Sequence, residues 1–161
     1  MKGHDYTSNC VYHVIICSYQ QTPWFGFISA GGNLPPLPNP AIQLTAYGKA
    51  VEQAIKNIPN IYKHVQVKNY VVMPNHVHLV LYFAFPDEAK DRPTLSVVMN
   101  QMKRFASMQA GITLWQRSFY DNIINDREEY EGTIQYVKNN PANWSNDEFY
   151  VPLDFLEESH L

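Results

Sequence analysis

The chain has 161 residues and a net charge of −3, with 45% hydrophobic and 17% charged residues. That size and apolar content support one domain with a real core, and the low charged fraction excludes a largely disordered chain. No apolar run reaches the roughly 18 residues of a membrane span. The opening Met-Lys-Gly-His-Asp lacks the apolar segment of a secretory signal, so the cytoplasm is the expected compartment and no membrane partner is expected.

Asn9 to Ser18 is rich in β-branched and aromatic residues and reads as a buried strand. Cys10 and Cys17 are an odd number of residues apart and fall on opposite faces of it, which argues for reduced thiols rather than a disulfide. His13 has no histidine two residues away and is read as a core or sheet-edge residue. Phe25 to Ile28 suggests a short second strand. Ser29 to Pro40 (Ser-Ala-Gly-Gly-Asn-Leu-Pro-Pro-Leu-Pro-Asn-Pro) predicts an exposed loop, an insertion in the domain. Leu44 to Ile58 has helical spacing, with Gln43 or Thr45 at its start and Pro59 ending it.

Tyr70 to Leu81 (Tyr-Val-Val-Met-Pro-Asn-His-Val-His-Leu-Val-Leu) is two apolar runs around a Pro-Asn turn signal, within a hairpin of Val65–Met73 and His76–Phe85. Side chains alternate along a strand, so His76 and His78 share one face while Val77, Leu79 and Leu81 point to the core. Thr94 to Ala110 predicts a helix capped by Thr94, with Leu95, Val98, Met102, Phe105 and Met108 or Gln109 buried. Lys103 and Arg104 lie beside that stripe and, with Arg117 and Lys138, are the candidate phosphate contacts. Leu114 to Ile124 has no clean period and suggests a weak strand, with Trp115 and Tyr120 read as core. Arg127 to Asn139 or Asn140 predicts a third helix burying Tyr130, Ile134 and Val137. Tyr136 lies on its flank. Asn140, four residues on, shares a face with Tyr136, although Pro141 biases it away from helical geometry.

All twelve Lys and Arg precede Asn139, and five of the fifteen acids lie at or after Asp147. The chain therefore divides into a domain, 1–144, and a loosely attached acidic tail, 145–161. Without the acids from Asp147 onward the balance is slightly positive, which permits nucleic-acid binding without requiring it. The element order matches a split β-α-β layout, so the expected fold is α+β: a ferredoxin-like antiparallel sheet with helices packed on one face.

Two imidazoles on one strand face make a half-site for a divalent metal. A further ligand is needed, either the Asn140 amide oxygen or a carboxylate such as Asp121 or Glu128. Tyr136, off the buried stripe, has its hydroxyl available. A tyrosine is a weak nucleophile alone, but metal polarisation of a phosphodiester removes that handicap.

The block Tyr-Val-Val-Met-Pro-Asn-His-Val-His-Leu-Val resembles the His-hydrophobic-His signature of the IS200-like transposases, especially the REP-associated tyrosine transposase branch. Leu-Trp-Gln-Arg-Ser-Phe-Tyr-Asp-Asn-Ile-Ile and Tyr-Val-Lys-Asn-Asn-Pro-Ala-Asn-Trp resemble two later blocks of that branch in the same order. The resemblance implies Mg²⁺- or Mn²⁺-dependent cleavage and joining of single-stranded or hairpin DNA. It assigns Tyr136 as nucleophile, His76 and His78 as metal ligands, and Asn140 as the polar group completing the metal site. It also implies a ferredoxin-like fold. Dimeric members of the family build composite sites while REP-associated members can act differently, so monomer and homodimer both stay open. The chain departs from the pattern in its negative charge, in the Pro-rich loop at 29–40, and in Asn122, where a histidine is frequent. Two alternatives remain: a non-cutting DNA-hairpin-binding module derived from a transposase, and a hydrolase of small phosphoesters.

Overall fold

The computed structural model describes residues 4–28 and 42–150. The expected loop at 29–40 lies outside the described residues, as does the tail from residue 151 onward. The elements are β1 (Cys10–Cys17), β2 (Gly26–Ile28), β3 (Ile42–Leu44), α1 (Ala46–Lys56), α2 (Ile58–Ile61), β4 (Val65–Val72), β5 (His76–Phe83), α3 (Leu95–Ala110), β6 (Tyr120–Ile124) and α4 (Arg127–Asn139). Among the described residues no helix is long and apolar enough to cross a membrane.

Four strands form one antiparallel sheet in the order β4-β5-β1-β6. With α1 and α3 this is the expected split β-α-β architecture. Strand alternation divides the sheet into two unlike faces. Tyr12, Val14 and Ile16 of β1 and Val77, Leu79, Leu81 and Phe83 of β5 form the main core with Val51 and Ile55 of α1 and Val98, Met99 and Met102 of α3. The opposite face carries Val11, Val71, Val80 and Ile124, packed against Tyr130, Ile134 and Val137 of α4. The two helices of the repeated layout thus share one face, and the third covers the other.

Local signals set the element ends. Thr45, Thr94 and Asp126 cap α1, α3 and α4, each side chain accepting a backbone N–H of the first turn. Gly111, at φ 76°, closes α3 in the left-handed region. Pro59 does not simply end a helix. It sits in the first turn of α2, where its missing N–H has no partner to lose, so the chain kinks at Asn57 and restarts. The strand expected at Phe25–Ile28 forms over Gly26–Ile28, paired with Ile42–Leu44, so Leu44 belongs to β3 and not to the helix. Gly48 lets α1 lie against the chain just before β2: a Cβ there would overlap the Phe25 carbonyl oxygen.

Trp115 is buried as expected, donating its indole N–H to the Lys103 carbonyl oxygen at 3.1 Å. Tyr120 is not core. It is 63% exposed, because β6 is an edge strand and Tyr120 begins it. Both cysteines are free.

Candidate active site

β5 runs through the interior of the sheet, flanked by β4 and β1. Its even-numbered residues face α4, which puts His76 and His78 on one side, as alternation requires. They are 0% and 2% exposed. Their ring centroids are 5.0 Å apart at 74°.

Each ring is held through Nδ1. That of His76 lies 3.0 Å from Asn75 Oδ1, and that of His78 lies 3.0 Å from His13 Nε2. Both Nε2 atoms are buried without a hydrogen-bond partner. Two orphaned imidazole nitrogens in one buried spot are costly unless something occupies their lone pairs.

Asp147 supplies the complement. Its Oδ2 stands 3.4 Å from His76 Nε2, and one ligand atom each from His76, His78 and Asp147 lies within 4.8 Å of the others. Burial works against ionisation of Asp147. The His76 ring, the Phe149 N–H and the nearby His78 outweigh it, and its carboxyl lies below the usual range. Burial, then the His76 and His13 rings, push His78 down to about 3, against smaller upward effects of Asp147 and the Asn140 amide. Burial also lowers His13. At neutral pH His78 and His13 are uncharged and the carboxylate is charged, the protonation states a divalent ion requires of such ligands. The donor set therefore fits a divalent metal.

α4 brings the other expected residues. Tyr136 is 55% exposed and sets its ring edge-on to His78 at 5.6 Å and to His13 at 6.2 Å. Asn140 keeps right-handed helical geometry despite Pro141. Its Nδ2 donates to the Tyr136 carbonyl oxygen at 2.9 Å, one turn back. With Nδ2 so engaged, Oδ1 is the end left to face His78, and the residue is 4% exposed. Tyr136, Asn140 and both histidines meet within a single chain.

The other candidates lie elsewhere. Asp121 is on the opposite sheet face, accepting from the Tyr6 hydroxyl at 2.9 Å. Glu128 is exposed in the first turn of α4. Lys103 spends its ammonium on the carbonyl oxygens of Gln116 and Arg117, at 2.8 and 3.2 Å, and burial lowers its pKa. Arg104 and Arg117 are exposed on the α3 side of the sheet, and Lys138 is exposed two residues beyond Tyr136.

Two contributors escaped the sequence. His13 was read as a bystander because a period of two looks only along one strand, whereas its partner is across the sheet on β5. Asp147 was assigned to a loose tail. Residues 144–150 instead pack over the site: Phe149 lies 4.8 Å from the His76 ring and Trp144 6.1 Å. An aromatic-acidic-aromatic run directly after a helix was the available signal.

No protein-family model matches the chain. An uncharacterized protein of Haemophilus influenzae is 28% identical over 172 residues, covering 94% of this chain and 91% of the relative. Among solved structures, that of a REP-associated tyrosine transposase bound to a REP hairpin superposes over 89% of this chain and 73% of its own, with a TM-score of 0.63 and 16% identity. The chain has the fold of a REP-associated tyrosine transposase. A candidate transposase from Deinococcus radiodurans superposes more loosely, at a TM-score of 0.49 and 16% identity over 86% of this chain and 96% of its own. The antiparallel sheet with α1 and α3 agrees with the α+β layout expected from the element order.

Proposed function

We propose that the protein cleaves and rejoins single-stranded or hairpin DNA through a covalent phosphotyrosine intermediate, with Tyr136 as nucleophile. The observation carrying this is the convergence of a half-exposed tyrosine on two buried histidines whose Nε2 atoms lack partners. The transposase fold and the sequence blocks around the same residues support it.

His76, His78 and Asp147 would hold the metal, with Asn140 Oδ1 as a further oxygen. When bound, the ion polarises the scissile phosphate and stabilises the charge developing on it. The Tyr136 oxygen attacks phosphorus. The new bond joins phosphorus to the phenolic oxygen, the bond from phosphorus to the sugar oxygen breaks, the phenolic proton is released, and the leaving sugar oxygen takes one up. The phosphotyrosine retains the energy of the broken linkage, so attack by a sugar hydroxyl can reverse the step. Lys138, exposed on α4, and Arg104 and Arg117 are proposed as contacts to backbone phosphate.

Incubation with single-stranded hairpin DNA and Mn²⁺ or Mg²⁺ should give a covalent protein–DNA band on a denaturing gel. Tyr136→Phe should abolish the band while DNA binding persists. An adduct that survives in Tyr136→Phe would remove Tyr136 as nucleophile. Hairpin binding with no adduct from the unaltered protein would favour the non-cutting module.

A further inference from the structure

Asn75 is wholly buried and uses every polar atom of its side chain. Its Nδ2 donates to two carbonyl oxygens, Phe149 at 2.7 Å and Gln21 at 3.2 Å. An amide nitrogen has two hydrogens and no lone pair to offer, so these two acceptors fix which way the amide faces. Oδ1 must then be the atom 3.0 Å from His76 Nδ1. An oxygen there can only accept, so His76 carries its proton on Nδ1. In the neutral ring the lone pair then lies on Nε2, the atom beside Asp147.

The same residue ties the site to its surroundings. Its backbone oxygen accepts from the Ser18 N–H at 2.9 Å and the Ser18 hydroxyl at 3.1 Å, where β1 leaves the sheet. The Phe149 carbonyl it holds is two residues from Asp147, whose Oδ1 accepts from the Phe149 N–H at 2.8 Å. One amide therefore sets the tautomer of one candidate ligand and the position of another.

We propose that Asn75 is a positioning residue for the metal centre: it selects the Nδ1–H tautomer of His76 and registers the Asp147–Phe149 segment against that ring. The role rests on the metal-dependent reading above, but its first consequence does not need a metal. Partners of this kind typically change metal affinity about 10–100-fold when removed.

The test begins with the metal-free protein, ¹⁵N-labelled at histidine. Long-range ¹⁵N–¹H spectra at neutral pH should show His76 protonated on Nδ1. A His76 with a bare Nδ1 in that spectrum overturns the proposal, whatever the protein does to DNA. Asn75→Ala and the milder Asn75→Ser should shift His76 toward the Nε2–H form and weaken Mn²⁺ binding in calorimetry by about 10-fold or more. Folded variants that keep both the Nδ1–H signal and full Mn²⁺ affinity also overturn it. An Nδ1–H His76 in a protein that binds no Mn²⁺ would sink the metal reading while upholding the tautomer, so the two failures are separable.

Discussion

The buried histidines make the metal-free protein sensitive to acid, by an amount the structure allows to be worked out. His78 is pushed from its ordinary 6.5 to about 3, first by burial and then by the His76 and His13 rings. In the unfolded chain it returns to about 6.5. A lowered folded-state value means the stability it protects is complete above that unfolded value and is lost as pH falls toward 3. Each unit of separation is worth about 1.4 kcal/mol, so at about pH 5 the native state has given up about 2 kcal/mol through His78 alone. His13, lowered by burial, acts in the same direction. Asp147 is held below the carboxylate range, so its loss falls at lower pH. Urea unfolding with chelator present, followed by tryptophan fluorescence at about pH 7.5 and about pH 5, measures the difference. His78→Gln removes the titrating ring and should flatten most of the slope. Equal unfolding free energies at the two pH values, within about 0.5 kcal/mol, would refute a neutral, desolvated His78.

Other outcomes follow from single contacts. Asp147→Asn removes the one carboxylate beside the two Nε2 atoms and should weaken Mn²⁺ binding by about 10-fold or more in calorimetric titration; an unchanged affinity would take Asp147 out of the site. Lys138→Ala should lower the salt dependence of hairpin binding by about one unit of slope, measured by fluorescence anisotropy over a salt series. Lys103→Ala should leave that slope alone and instead cost about 1 kcal/mol of stability, because its ammonium already serves two carbonyls; a slope change at Lys103 would reverse the assignment. Gly48→Ala should destabilise by about 1–3 kcal/mol in urea unfolding despite the better helix propensity of alanine, since the new methyl meets the Phe25 carbonyl; a stabilised variant would mean that α1 can withdraw without loss.

What could be read in advance follows the range of the signals. Alternation along β5 is a property of adjacent residues, so the shared face of His76 and His78 was legible, as was the buried stripe Tyr130, Ile134 and Val137 that leaves Tyr136 on the flank. Pairing across strands is not local. His13 meets His78 only because β1 and β5 are antiparallel in one particular register, with Ile15 opposite His78. Tyr120 was misread for a related reason: its apolar surroundings in sequence do not reveal that its strand is the sheet's edge. Asn140 shows a local rule overridden. The residue before a proline is disfavoured in helical geometry, yet burial beside His78 and the bond to the Tyr136 carbonyl hold it there.

The acidic C-terminal stretch bears most on how charge should be weighed in such a site. The net charge of −3 counts Asp147 as repelling DNA. Its carboxylate is instead folded against His76, with a side chain only 7% exposed. An ion held there by imidazole lone pairs and one carboxylate would bring the local charge to about +1, beside Tyr136. Whole-chain charge governs distant attraction, screened within about 10 Å at ordinary salt. The field at the histidines is set by groups within a few ångströms. An acidic residue close to the histidines therefore supports phosphate chemistry where it serves as a ligand, and the Asn75 amide, holding the carbonyl two residues on, keeps Asp147 beside His76.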